Sequence, residues 1–281
     1  MLWQCRSRTF DLSRRALLMG VLNITADSFS DGGRYLSANR ACEHAREMIA
    51  AGAEIIDVGG ESTRPGAEPV PEEEELRRVV PVVERLASET RCVISIDTMK
   101  PNVARAAVQA GASVVNDVSG LRDPEMREVV RQSGAGAVIM HMQGTPCDMQ
   151  AAPHYGDVCA DIQIFFRQAF TACLRCGIDP MRLAFDPGIG FGKTPAHNLE
   201  LLRNLASMRI EERPLVLGVS RKSFLGKIIG STEMEDRLWP TVAITSYGRT
   251  HGANVIRVHD VLPNAHALRM TEAILHDGVE A

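Results

Sequence analysis

The stretch Glu54-Ile55-Ile56-Asp57-Val58-Gly59-Gly60-Glu61-Ser62-Thr63-Arg64-Pro65-Gly66 is a short apolar run that opens into a glycine pair, two hydroxyls, an arginine and a proline. It reads as a buried strand and the loop that leaves it. Gly59 and Gly60 permit close backbone approach or positive φ. Ser62, Thr63 and Arg64 supply donors suited to an anion. Alone, the loop reads equally well as a polar surface turn, because Gly and Ser dominate ordinary turns. The recurrence of the pattern decides the fold. Apolar runs of four to seven residues, each ending on a polar residue, occupy 17–23, 54–58, 93–97, 113–117, 137–141, 183–186, 215–220 and 255–259. They are rich in Val and Ile and nearly continuous, as strands buried on both faces of a parallel sheet are.

Helix-like segments lie between them. Ala41, Ala45, Met48 and Ile49 share one face, as do Leu76, Val79, Val80, Val83 and Leu86 behind an acidic start that suits a helix N-terminus. Residues 102–110, 124–132, 161–176, 198–206, 237–250 and 263–275 complete the series. Gly52, Gly111 and Gly252 each stand just before a strand, where a helix stop belongs. Eight strands alternating with eight helices predict an α/β fold, a single (β/α)8 TIM barrel over residues 1–281 with 1–15 as an N-terminal lead-in. The competing doubly wound open sheet carries a Gly-rich first turn, whereas the first turn here is Asn23-Ile24-Thr25-Ala26-Asp27. The connection 142–155 is the longest and is expected over the barrel mouth.

Active sites of such barrels lie at the strand C-termini. Here those ends carry Asn23, Asp57, Asp97, Asn116-Asp117, His141, Asp186, Ser220-Arg221-Lys222-Ser223, and Arg257 with His259. Solvent at strand ends accounts for some of these residues, but not for a polar group at every end. Asp97, Asn116 and Asp186 suit a flat heterocycle bearing several N–H groups. Thr63, Arg64, Arg221, Lys222, Arg257, His259 and Asn23 suit an anion and a hard metal ion, and magnesium needs few protein ligands when phosphate and water complete its shell. The last helix begins directly after His259 and adds positive potential there. Gly190-Phe191-Gly192-Lys193-Thr194 ends like a phosphate-binding P-loop, but Gly188 stands four residues before Gly192 where that motif needs five. Nucleoside triphosphate binding is therefore not expected.

With 45% hydrophobic and 23% charged residues, the composition is that of an ordinary globular protein. A net charge of −4 argues against a nucleic-acid partner. The seven cysteines form no framework, and Cys173-x-x-Cys176 lacks a second pair at zinc-site spacing. No leader and no apolar run of about 18 residues stands out. A cytoplasmic protein with no membrane partner is expected.

At this point Met19 through Gly33 resembles the first signature of the dihydropteroate synthase family, and Ile56 through Gly66 resembles the second. Ser95–Thr98, Val115–Gly120, Met140–Gly144, Phe185–Lys193, Ser220–Phe224 and Arg257–Asp260 are similar to the remaining family motifs, in the family's order over nearly the whole chain. The resemblance implies a transferase that joins 4-aminobenzoate to 6-hydroxymethyl-7,8-dihydropterin diphosphate with Mg²⁺, by an SN1-like path. It implies that Asp97, Asn116 and Asp186 hold the pterin, that Lys222 meets its oxo edge and that Arg257 stacks on its face. Asn23 would bind the metal. Thr63, Arg64, Arg257 and His259 would meet the diphosphate. Phe29, Thr63, Pro65, Phe191, Lys222 and Ser223 would form the aminobenzoate pocket, where sulfonamides compete. Lys222, Asp97, Arg257 and Asn23 would carry the catalytic weight. Ala26 stands where the family usually has Pro, which loosens the first loop by about 0.4–1 kcal/mol.

His141 is read as a wall or satisfied core residue and His259 as a phosphate donor. Loops 24–35 and 62–71 are expected to close over the ligands. A homodimer through residues 237–250 is expected from the family. Two alternatives are a pterin-dependent methyltransfer domain and a non-catalytic pterin-binding barrel.

Overall fold

The computed structural model describes residues 1–24 and 34–276. The expectations for Ala26 and Phe29, and most of the first loop, lie outside the described residues. The segment expected as a lead-in is an antiparallel hairpin of β1 (Leu2–Cys5) and β2 (Arg8–Asp11). After it come β3 (Leu17–Asn23), α1 (Arg34–Ala50), β4 (Ile55–Gly59), α2 (Glu72–Glu89), β5 (Val93–Asp97) and α3 (Pro101–Gln109). Next are β6 (Val114–Asp117), α4 (Pro124–Ser133), β7 (Gly136–Met140), α5 (Val158–Arg175), β8 (Leu183–Asp186) and α6 (Pro195–Arg203). The chain continues with β9 (Val216–Gly218), α7 (Ser223–Ile229), α8 (Leu238–Thr250), β10 (Val255–Val258) and α9 (Val261–Leu275).

Strands β3 to β10 pair in parallel in the order β8-β7-β6-β5-β4-β3-β10-β9. A parallel bridge between Phe185 and Leu215 joins the two ends into a ring, with the Phe185 N–H donating to the Pro214 carbonyl at 2.9 Å. This is the expected (β/α)8 barrel. The helix α7 is an addition to the expected set, formed where Ser220–Ser223 turns away from the short β9.

Alternation along each strand separates two cores. Ile56, Val58, Ile94 and Ile96 face outward into the layer beneath the helices. Leu17, Met19, Ile55, Val93, Val114, Val138, Ala184, Val216 and Val255 face inward and fill the N-terminal floor of the barrel. The hairpin plugs that floor: Trp3, Phe10 and Leu12 join the inner cluster, and the Trp3 indole N–H donates to the Arg182 carbonyl at 3.0 Å. With the floor sealed by apolar side chains, the polar inward positions are left to the opposite end.

Candidate active site

The period of two that puts Ile55 in the floor puts Asp57 and Gly59 above it on the same face. The same count raises Ser95 and Asp97 above Val93, Asn116 above Val114, Asp186 above Ala184, and Arg257 above Val255. Arg257 bridges two carboxylates. Its Nε donates to Asp57 Oδ2 at 2.6 Å and one terminal nitrogen to Asp97 Oδ2 at 2.6 Å. Asn116 Nδ2 donates to the same Asp57 oxygen at 2.9 Å. Asp57 is thus no rim residue: it is fully buried and fixes the guanidinium plane. Burial pushes the Asp97 carboxyl up to about 7, against the pull of Arg257. Among the described residues Asp97 Oδ1 has no hydrogen-bond partner. A buried acceptor in that state carries a desolvation cost that a ligand N–H would relieve.

Across the mouth, Asp186 Oδ1 accepts the Gly188 N–H at 2.7 Å, and burial raises its carboxyl pKa. Gly218 leaves the wall open between Asp186 and Arg257: a Cβ there would stand 3.6 Å from Asp186 Oδ2 and 3.9 Å from the Arg257 stem. Lys222 caps α7; its amine donates to the Ile189 carbonyl and lies 4.2 Å from the centre of the Phe191 ring. Burial lowers its pKa to about 7, with Asp186 opposing. Asn23 ends β3 with its Oδ1 3.6 Å from where a Gly59 Cβ would stand, the same place that Asp97 faces. A neutral amide oxygen beside a carboxylate, at an exposed rim, suits a magnesium ion that takes its other ligands from water and phosphate.

On the next arc, His259 Nδ1 lies 3.0 Å from Ser220 Oγ, and burial with Arg257 and Arg221 nearby holds its pKa down to about 4. Arg221 is not the anion donor expected: both its Nε (2.8 Å) and a terminal nitrogen (2.5 Å) bind Asp260. Thr63, Arg64 and Pro65 sit on the β4–α2 loop at the rim, Arg64 and Pro65 exposed, and Ser223 is exposed at the start of α7. The structure therefore brings together the residues expected around the heterocycle. Of those expected around the second substrate, Phe191 and Lys222 are in contact and Ser223 follows Lys222, Thr63 and Pro65 stay on the separate β4–α2 loop, and Phe29 lies outside the described residues.

The 141–157 connection does cross the mouth. Pro146 accepts the Gly66 N–H at 3.0 Å, Gln150 Nε2 donates to the Gly190 carbonyl at 2.7 Å, and the Tyr155 hydroxyl donates to the Gly192 carbonyl at 2.8 Å. The base of the 61–71 loop is held by Lys100, whose amine bridges Glu61 (2.6 Å) and the buried Glu75 (2.5 Å). Glu61 also accepts the Val70 N–H at 2.8 Å. Removing the cation leaves two facing acids, one of them fully buried. Lys100→Met is expected to cost about 2–4 kcal/mol in urea unfolding, and an unchanged midpoint would refute the strut.

Sequence reading missed Asp57 as Arg257's partner and Lys193 altogether. Counting alternate positions back from Gly59 would have found Asp57 on the interior face. Lys193 looked like the tail of a P-loop. In the fold, Thr194 instead caps α6, its hydroxyl accepting the His197 N–H at 3.2 Å, and Lys193 turns inward to His141.

Comparison with known proteins places this geometry. A family model described as pterin binding enzyme matches residues 19–259. The chain is similar to the dihydropteroate synthase of Escherichia coli strain K12, 46% identical over 258 residues that cover 92% of this chain and 91% of the relative. It superposes on a crystal structure of Yersinia pestis dihydropteroate synthase with a sulfonamide drug complex at a TM-score of 0.91 and 44% identity, covering 98% and 99% of the two chains. Xanthomonas albilineans dihydropteroate synthase in complex with 7,8-dihydropteroate gives a TM-score of 0.86 at 37% identity, with 98% of each chain covered.

Proposed function

Because the chain belongs to the dihydropteroate synthase family of pterin binding enzymes, we propose that it joins 6-hydroxymethyl-7,8-dihydropterin diphosphate to 4-aminobenzoate, releasing 7,8-dihydropteroate and diphosphate. The observation that carries this is the Asp57–Arg257–Asp97 cluster facing Asp186 across the gap that Gly218 leaves. Asp97, Asn116 and Asp186 accept and orient the pterin N–H groups, and Lys222 donates to its oxo edge. Arg257, locked in plane by two carboxylates, presents its face to the ring. The C–O bond to the diphosphate breaks with its electron pair leaving on oxygen. Positive charge then spreads into the pterin, where the carboxylates of Asp57, Asp97 and Asp186 stabilise it in a low-dielectric interior. The neutral arylamine attacks the methylene carbon, a C–N bond forms and the amine proton passes to solvent.

Thr63, Arg64, Arg257 and His259 take the departing diphosphate, with the N-terminus of α9 behind them. His259, neutral at pH 7, donates a single uncharged hydrogen bond. Asn23 would hold Mg²⁺, which supplies charge neutralisation on the leaving group. Thr63, Pro65, Phe191, Lys222 and Ser223 form the aminobenzoate pocket once loop 62–71 closes; Phe29 lies outside the described residues. That order of assembly requires aminobenzoate to bind tightly only with Mg²⁺-diphosphate present; equal affinity by calorimetry with and without it would exclude it. The reading of the site itself is tested by titrating 7,8-dihydropteroate, which should bind the wild type and lose most affinity in Asp186→Ala.

We place the protein in the cytoplasm, a reading supported by its seven free cysteines; no helix among the described residues is long and apolar enough to cross a membrane. We also read it as a homodimer through α8 and α9, which pack on each other and leave Trp239 (70%), Met270 (65%) and Ile274 (69%) exposed. Sedimentation equilibrium returning a monomer at micromolar concentration would exclude the dimer.

A further inference from the structure

Lys193 lies beneath the mouth, 2% exposed, with no role in the scheme above. Its amine is 3.1 Å from His141 Nδ1, 2.9 Å from the Phe191 carbonyl and 3.4 Å from the His141 carbonyl. Among the described residues no carboxylate pairs with it. Both protonation states satisfy the same partners: an ammonium donates to all three, and a neutral amine donates to the two carbonyls while accepting from a protonated Nδ1. A lysine that only filled space here would be a costly choice over an apolar residue of the same length.

What the bonds join is specific. His141 follows β7, and Phe191 belongs to the loop that follows β8. That loop has three glycines in the left-handed region, Gly188, Gly190 and Gly192. At Gly188 a Cβ would lie 1.9 Å from the His141 carbonyl oxygen, so the loop runs directly against His141. A backbone this rich in glycine has little stiffness of its own. Yet it carries the Ile189 carbonyl that accepts from Lys222, the Phe191 ring under the Lys222 amine, and the Gly188 N–H on Asp186.

Resting on the transfer reaction proposed above, we infer that Lys193 is a positioning residue: by cross-linking His141 to the 187–192 loop it sets where Lys222 and Phe191 stand. Of the groups that hold the pterin, Asp186 and Lys222 touch this loop, while Asp97, Asn116 and Arg257 sit on β5, β6 and β10 clear of it, so the pterin keeps most of its contacts when the loop shifts. The two substrates are therefore affected unequally.

The test is steady-state kinetics on Lys193→Met, which keeps the length and removes every bond. KM for aminobenzoate is expected to rise about 10-fold or more while KM for the dihydropterin diphosphate moves no more than about 3-fold. A merely structural lysine would lower the active fraction and the melting temperature and leave both KM values where they were. In a Lys222→Met background the Lys193 change should add little, because both act on one arrangement. If Lys193→Met does not fold, the His141 pair decides. His141→Asn keeps an oxygen acceptor and should stay near wild type, whereas His141→Leu should raise the aminobenzoate KM as Lys193→Met would. Unchanged KM values in folded Lys193→Met, or equal behaviour of the two His141 variants, overturn the inference. A wild type that neither turns over nor binds 7,8-dihydropteroate removes the proposed reaction instead, and this inference with it.

Discussion

Lys222→Met is expected to lower kcat/KM by about 10²–10³-fold and, at the same time, to raise the melting temperature at pH 7. The activity loss follows from the position of the amine, between Phe191 and the mouth, donating to the Ile189 carbonyl and drawn toward Asp186. The stability gain follows from desolvation. Burial lowers the Lys222 pKa from 10.5 to about 7, so the folded chain binds this proton less readily than the unfolded chain. Between about pH 7 and 10.5 the unfolded state carries more protons, and stability due to this group rises with pH across that window. Well below pH 7 the cost of the buried amine is greatest and constant.

Methionine keeps the apolar stem beside Gly190 and has no such cost. Half-buried surroundings and the Ile189 bond reduce the gain to ~1–2 kcal/mol, or a few degrees in a chain of this size. Scanning calorimetry at several pH values should show the variant's advantage largest at pH 6–7 and shrinking toward pH 10. A variant that melts below wild type at pH 6–7, or that turns over normally, would be inconsistent with an amine held there for function at the expense of stability.

Asp57→Ala is expected to be the most damaging single change in the barrel interior. Asp57 is fully buried and one of its oxygens receives both the Arg257 Nε and the Asn116 amide. Its loss leaves Asn116 without that acceptor and Arg257 with Asp97 alone. Breaking a buried pair in this way costs about 3–5 kcal/mol. The guanidinium, held at one edge only, can rotate out of the plane in which it faces the ring. KM for the pterin substrate should therefore rise along with the fall in stability. Asp57→Asn keeps the shape and one acceptor oxygen and should fall between the two. Urea unfolding and steady-state kinetics on both variants check this. Wild-type stability in Asp57→Ala would mean that Asp97 alone suffices to hold Arg257.

The barrel was legible because its strands are short apolar runs with one polar end. Residues 17–23 and 93–97 come out with the same bounds in sequence and structure, and 137–141 shifts by one residue. The run 215–220 shrinks to Val216–Gly218, since Arg221 takes a left-handed backbone (φ 58°) and Lys222 N–H turns back to the Val219 carbonyl. The N-terminal hairpin was not legible: its strands are four residues each, and its turn uses Arg6 at φ 55° in place of a glycine or asparagine signal.

The members of the site were readable as strand ends, but their partnerships were not. Arg257 and Asp57 are 200 residues apart, and only ring closure brings them to 2.6 Å. Lys193 was hidden for a different reason. Its sequence neighbours mimic a phosphate loop, while its partner His141 follows a different strand, 52 residues away.

The most direct measurement is turnover by the purified protein given 6-hydroxymethyl-7,8-dihydropterin diphosphate, 4-aminobenzoate and Mg²⁺, with 7,8-dihydropteroate and diphosphate both quantified. Equal amounts of the two products, strongly reduced in Lys222→Met and Asp186→Ala, are the expected result. A folded protein that binds 7,8-dihydropteroate yet forms neither product would be a pterin-binding barrel without transfer chemistry, and would contradict the proposed function.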